Sequence, residues 1–242
     1  MRRVIITTVA LAVLAAAATA TVSGSIVASW RSPCINPAAL DYYDGRLYHV
    51  AQAERKIFIT TTVGSLLGSV VDPTSARGLD RTAIEYWICH ANGSIARLDT
   101  TGSLIRVLPG PATQGYDITL GEGCLWYSGY TTAPYIFRLT VETGSIMASF
   151  RSPGRAPGGL FWEAPTLWFA EGANPTGSIY HLTTTGSIIE SITVPGARPY
   201  GVAREGPFIW YTDFTTGYVY QITYTQTGVE PASLGRVKAV YR

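Results

Sequence analysis

The chain has 242 residues, 47% of them apolar and 14% charged, which is enough to bury one sizeable core. Removing Arg2 and Arg3 from the eighteen basic residues leaves sixteen against sixteen acidic ones, and the arginines form no run. A balanced, scattered charge gives no electrostatic footprint for nucleic acid or an anionic membrane, so neither is expected as a partner.

Residues 1–20 read as a signal peptide. Arg2 and Arg3 precede an uncharged apolar run from Val4 to Ala17, which leads into Ala18-Thr19-Ala20, a small-x-small cleavage pattern. The run is too short to span a bilayer comfortably, and Thr and Ser follow it instead of basic stop-transfer residues. The expected destination is periplasmic, cell-surface or secreted, with no stable membrane anchor after cleavage.

Residues 21–228 are built of repeats. Gly24-Ser-Ile-Val-Ala-Ser-Trp-Arg-Ser-Pro33 recurs as Gly144-Ser-Ile-Met-Ala-Ser-Phe-Arg-Ser-Pro153, and Gly-Ser-apolar starts fall at Gly24, Gly64, Gly102, Gly144 and Gly186. The period of roughly forty residues is that of propeller blades. After each start come apolar positions four apart, such as Ile26 and Trp30 or Ile146 and Phe150, then a Pro/Gly-rich turn.

Next is a small-apolar pair: Ala39-Leu40, Gly78-Leu79, Gly115-Tyr116, Gly159-Leu160 and Gly201-Val202. Small residues fit where strands of all blades converge on an axis, so this is read as the innermost strand. The following strand carries Leu47-Tyr48-His49, Tyr86-Trp87-Ile88, Leu125-Trp126-Tyr127, Leu167-Trp168-Phe169 and Ile209-Trp210-Tyr211. Consecutive large apolar residues without alternation require burial on both faces, as blade-on-blade packing does. A third strand, for example Tyr135 to Leu139 or Tyr218 to Ile222, completes the unit.

The expected fold is therefore an all-β propeller of about five four-stranded blades, with six as the alternative. Five inner sets meet six candidates for the outer strand. The Gly24 segment matches its sister repeats better than the tail 229–242, so the N-terminal strand is expected to close the ring and the tail strand to add at an edge or dock elsewhere.

The run Pro-x-Gly-apolar, Leu-Trp-Tyr/Phe-x-Asp/Glu, apolar-x-x-Leu and Gly-x-Ile, clearest in Pro157 to Leu182 and Pro199 to Ile222, resembles the NHL-like and streptogramin (virginiamycin B) lyase-like propeller superfamily. The resemblance implies a propeller over essentially the whole mature chain. Lyases of that family are seven-bladed and use magnesium with histidine and glutamate near the channel. This chain has too few repeats and only three histidines for those roles to carry over.

Chemistry is expected at one mouth of the channel, where inner strands begin and second strands end. The column after the small-apolar pair reads Asp41, Asp80, Asp117, Phe161, Ala203; the column ending the second strand reads Ala51, His90, Gly129, Glu171, Asp213. Tyr116, Tyr130 and Cys34 should lie nearby, and Trp162 beside the inner strand is a candidate stacking surface when it is not core. Asp41, Asp80 and Asp117 crowded at a narrow axis would call for a divalent cation, calcium or magnesium. Singly, each aspartate would instead cap N–H groups of the turn entering the inner strand. His49 reads as a core histidine, His181 as part of a solvated face, and His90 as the one histidine placed for ligand or base work.

Cys34, Cys89 and Cys124 allow one disulfide and a free thiol, or three buried thiols. The leading functional expectation is an exported, non-catalytic propeller holding a small molecule, glycan or protein at its mouth. The rivals are a metal-assisted lyase or glycan hydrolase using His90, Glu171 and the aspartates, and a structural module docking through its tail; no catalytic residue is assigned.

Overall fold

The computed structural model describes residues 20–172, 177–196 and 198–225. Apart from Ala20, the leader lies outside this range, as does the tail 229–242. The described residues form strands and turns without helices.

The strands make five sheets arranged as blades. From the axis outwards, blade 1 holds β3 (Ala39–Tyr43), β4 (Arg46–Ala51), β5 (Lys56–Thr61) and β6 (Leu66–Val71). Blade 2 holds β7 (Ala76–Arg81), β8 (Glu85–His90), β9 (Ile95–Asp99) and β10 (Leu104–Leu108). Blade 3 holds β11 (Gln114–Gly121), β12 (Cys124–Tyr130), β13 (Pro134–Thr140) and β14 (Ile146–Arg151). Blade 4 holds β15 (Leu160–Glu163), β16 (Thr166–Glu171), β17 (Ser178–Thr183) and β18 (Ile188–Thr193). Blade 5 holds β19 (Pro199–Glu205), β20 (Phe208–Asp213), β21 (Tyr218–Thr223) and, from the other end of the chain, β2 (Ser25–Arg31). The N-terminal strand therefore closes a five-bladed ring, pairing antiparallel with β21 from Ser25 opposite Thr223 to Arg31 opposite Tyr218.

One element goes beyond the repeat. β1 (Ala20–Ser23) runs parallel along the outer edge of β18, making blade 4 five-stranded before the chain crosses to blade 5.

The unbroken apolar runs land in the second strands, and every residue of β8 is buried. Their two faces serve different neighbours. Tyr86 and Ile88 pack with Tyr48, Val50 and Ile57 of blade 1, while Trp87 and Cys89 pack with Ile118, Leu125 and Tyr127 of blade 3. Three further clusters fill the remaining blade interfaces, the last joining Ala203, Trp210 and Val219 to Leu40 and Leu47 across the closure. Full burial of each such aromatic is worth about 2–3 kcal/mol, so the core is distributed between blades and not within them.

The Gly-Ser signature marks the hairpin between third and outer strands. Gly64, Gly102, Gly144 and Gly186 have φ between +69° and +89°, where a side chain would be strained. The preceding Thr or Asp hydroxyl or carboxylate accepts the Ser N–H, as Thr61 does from Ser65 and Asp99 from Ser103. Gly24 follows no such hairpin; a side chain there would meet Ile222 at 2.7 Å.

Candidate functional site

The register against the second strands corrects one column of the sequence reading. Asp41 pairs with Tyr48, Asp80 with Trp87, Phe161 with Trp168 and Ala203 with Trp210, each seven residues before the partner aromatic. In blade 3 the residue opposite Trp126 is Thr119. Asp117 stands two residues earlier, in the layer that the other blades fill with Ala39, Gly78, Gly159 and Gly201. That layer is packed backbone to backbone: a side-chain carbon on Gly201 would lie 2.3 Å from the Leu40 nitrogen, and one on Gly159 2.5 Å from the Tyr200 oxygen. The one carboxylate in it closes the axis.

Asp117 is fully buried. Its Oδ1 accepts from the N–H groups of Leu79 (3.0 Å) and Ile118 (2.9 Å), and its Oδ2 from Leu160 (2.8 Å), tying blades 2, 3 and 4 together. Asp41 Oδ2 accepts from the Arg81 N–H at 2.6 Å, and Asp80 Oδ1 from the Thr119 hydroxyl (2.8 Å) and Leu120 N–H (3.0 Å). Thr119 Oγ1 in turn accepts from the Trp162 N–H at 3.2 Å. The physical cause is the inner edge of each blade, where N–H groups have no further strand to bond. The aspartates cap the next blade's strand instead of their own entry turn. Asp41 and Asp80 are buried too, so the three aspartates do not line an open mouth.

Burial pushes the Asp41 and Asp117 carboxyls well above the usual range, the Asp80 charge adding to both. Burial also raises Asp80, to about 6, against the bonds from Leu120 and Thr119 that favour its charged form.

The mouth itself is occupied by the residues just ahead of the small layer: Ala38, Arg77, Tyr116, Gly158 and Tyr200. Arg77 of blade 2 reaches across the axis, donating from Nη2 to the Tyr200 hydroxyl of blade 5 at 2.7 Å while its guanidinium stacks 3.7 Å from the Tyr116 ring centre. Tyr200 packs on Phe214 (5.1 Å between ring centres), over which Arg198 lies at 4.9 Å. Tyr116, which the sequence aligned with Leu79 and Val202, stands level with Arg77 and Tyr200; Arg77, Tyr200, Arg198 and Phe214 were not foreseen. Counting back from the second-strand aromatic would have put Arg77, Tyr116 and Tyr200 in one column.

The second-strand end column surrounds this centre, each member serving its own loop. Glu171 Oε1 accepts from the Arg155 N–H (2.5 Å) and Oε2 from the Tyr180 hydroxyl (3.3 Å). Asp213 Oδ1 accepts from the N–H groups of Thr215 (2.9 Å) and Thr216 (2.8 Å), and Oδ2 from Arg198 (3.2 Å). Asp72, unremarked in the sequence, holds the next connection through Thr74 and Ala76. His90 contacts the Ser94 hydroxyl through Nδ1 at 2.9 Å and lines a shallow cleft of about 360 Å³ with Gln52, Thr74 and Asn92. Burial lowers its pKa, which favours the neutral ring. His90 and Glu171 thus serve different loops. Among the described residues no three His, Cys, Asp or Glu side chains group to hold a metal ion.

Trp162 sits near the opposite end of the inner strand, stacked on Trp126 with ring centres 6.0 Å apart and lying against Gly121. His49 is a core residue bonded to the Thr60 hydroxyl at 2.9 Å and pushed down to about 3 by burial. His181 is no solvated side chain: it stacks flat on Trp168 at 4.3 Å. All three cysteines are free and buried, and burial pushes the Cys34 thiol up to about 11.

The chain matches no protein-family model and no curated protein. Among solved structures it is similar to Myxococcus xanthus glutaminyl cyclase, with a TM-score of 0.65 at 11% identity over 85% of this chain and 98% of that one. It is also similar to a chain of the nidogen/laminin complex (TM-score 0.56, 18% identity, 76% and 74% coverage). The WD40 propeller domain of Doa1 gives a TM-score of 0.55 at 14% identity, covering 78% of this chain and 64% of that one. At these identities the likeness speaks for fold alone. Fold and likeness together define a five-bladed β-propeller.

Proposed function

We propose that this protein is an exported, non-catalytic propeller that binds a small molecule, glycan or protein at the mouth where the inner strands begin, and that Arg77 recognises an anionic group of that partner. The observation that carries the reading is the Arg77 guanidinium held centrally between Tyr116 and Tyr200, with one donor given to a tyrosine hydroxyl. A stacked, pre-oriented guanidinium suits a carboxylate or sulfate, because little side-chain freedom is left to lose on binding. The connections around it, 32–38, 73–77, 109–114, 152–157 and 194–199, differ in sequence while the strands repeat, and Asp72, Glu171 and Asp213 fix three of them.

The lyase or hydrolase reading is weaker, because the carboxylates it would use already accept backbone N–H groups. Export rests on residues 2–20 alone, and the NHL-like kinship on the blade signature. The test is to screen the wild type and Arg77→Gln against arrays of acidic and neutral glycans and peptides. Acidic ligands retained by the wild type and lost in a variant with unchanged melting temperature support the reading. An absence of acidic ligands, or equal binding by both proteins, overturns it.

A further inference from the structure

The charges that balance along the chain are not balanced in space. At the mouth, Arg31 and Arg151 end their outer strands, Arg55 and Lys56 stand where β4 turns into β5, and Arg155 and Arg198 lie in two of the connections. These six are spread over the face that has Arg77 at its centre, and all of them but Arg198 are exposed. The carboxylates of the same face are mostly withdrawn. Asp72, Glu171 and Asp213 are buried and accept backbone N–H groups. Among the described residues only Glu54 is exposed there, and its Oε1 accepts from the Ile35 N–H at 3.2 Å. At the opposite face Asp44, Glu122, Glu142 and Glu205 are exposed. The ion pairs among the described residues, Arg97–Glu85, Arg106–Glu142, Arg138–Glu122 and Arg204–Glu163, all use carboxylates of that opposite face, and none includes a cation of the mouth. Like charges gathered on one face repel one another and favour a ligand of the other sign.

We infer that the mouth takes a linear acidic polysaccharide, whose repeated carboxylates or sulfates engage several of these cations at once. The inference rests on export and on the mouth as the binding face, and extends that reading from one anionic group to a polyanion. An arginine fork meets a carboxylate or sulfate at two points. A chain with an anion on every unit gains affinity by reaching cations that stand apart, since each further contact is made within one complex. Single-stranded nucleic acid would need open aromatic faces on which to stack its bases. Tyr116 already carries the Arg77 guanidinium, and Phe214 is engaged by Tyr200 and Arg198.

The experiment titrates the purified chain at low and raised salt with polygalacturonate, dextran sulfate, their short oligomers, neutral dextran, polyglutamate and a single-stranded oligonucleotide. It compares the wild type with two double variants, Arg31→Gln with Arg151→Gln and Arg46→Gln with Arg106→Gln. Each removes two positive charges, the first from the mouth and the second from the start of β4 and the middle of β10. At least one acidic polysaccharide should bind more tightly than its oligomers and far more tightly than dextran, with an affinity that falls as salt rises. The mouth variant should weaken that binding by about tenfold and flatten its salt dependence, while the other leaves both unchanged. Equal melting temperatures of the three proteins show that the rings are intact. Binding of neither polysaccharide, equal effects of the two variants, or tighter binding of polyglutamate or the oligonucleotide would each overturn the inference. A monoacid bound as tightly as the polymers and lost in Arg77→Gln would overturn it too, while leaving the single-anion site at Arg77 standing.

Discussion

The carboxylates at the axis and those at the mouth are the same chemical groups put to different ends. Asp41, Asp80 and Asp117 bond N–H groups of neighbouring blades and hold the ring together from inside. Asp72, Glu171 and Asp213 bond N–H groups of adjoining connections and shape the rim. Both sets are buried, yet only the axial set crosses from blade to blade through inner strands. The loss of an axial carboxylate should therefore be felt globally, and the loss of a rim carboxylate locally.

The strongest attempt to break this contrast is Asp117→Ala. It strands the N–H groups of Leu79, Ile118 and Leu160 in a layer with no room for repair, at a cost of about 3 kcal/mol or more. Denaturant unfolding should show it as a lower midpoint of the single cooperative transition. A midpoint within experimental error of the wild type would remove the axial staple from the account.

Asp80→Asn probes charge at the axis without removing the acceptor, since its oxygen still takes the Thr119 and Leu120 bonds. The folded carboxyl titrates near 6 against an ordinary value of 3.8. An acid whose folded pKa is raised holds its proton longer in the fold than in the unfolded chain. Its contribution to stability is present below about pH 4 and is lost as pH rises through about 6, an effect on the order of 1–3 kcal/mol. His49, held near 3 by burial, acts oppositely: the unfolded chain takes up its proton below about 6.5, so stability falls toward acid. The two effects overlap, and the informative quantity is the difference in melting temperature between wild type and Asp80→Asn as a function of pH. The variant should gain relative to the wild type between pH 4 and pH 7; a flat difference would mean that the buried charge is relieved in some other way.

The ring itself was legible in the sequence because its determinants are local and repeated: the doubly buried aromatic strand, the Gly-Ser hairpin and the N-terminal segment that matches Gly144 to Pro153. The site was legible only in part. His90, Glu171 and Asp213 end their second strands, as their column has them. Asp117 was aligned on the motif Gly115-Tyr116, which looks like the small-apolar pair of the other blades. Gly115 stands eleven residues before Trp126, where Gly78 stands nine before Trp87, so the true match is Asp117-Ile118-Thr119. The cross-axis bond from Arg77 to Tyr200 joins residues 123 apart in sequence and is set by the closure of the ring, which no single repeat encodes.

At the rim, Glu171→Ala should cost less than the axial alanine, about 1–2 kcal/mol, because the 152–157 connection it holds can turn its freed N–H toward water. The readout is hydrogen exchange at Arg155, which should speed up while amides of the inner strands stay protected. Glu171→Gln should restore protection, since its oxygen can accept from Arg155 and its amide can donate to the Tyr180 hydroxyl. Fast exchange spreading to β15 and β19 would blur the line between rim and axis.

The sharpest comparison, and the smallest effect, is one substitution made at both places. Among the described residues, Asp117→Asn and Asp213→Asn each keep an oxygen for two N–H groups and turn an amide N–H₂ against a third, Leu160 in one case and Arg198 in the other. Leu160 belongs to an inner strand packed on the axis and cannot withdraw from a donor facing a donor. Arg198 lies in the connection just ahead of β19, where a small backbone shift relieves the clash. Asp213→Asn should therefore cost about 1 kcal/mol or less, and Asp117→Asn about twice that or more, by denaturant unfolding of the two variants side by side. If the two costs are equal, what matters is the number of N–H groups a carboxylate holds, not the rigidity of the strands that present them.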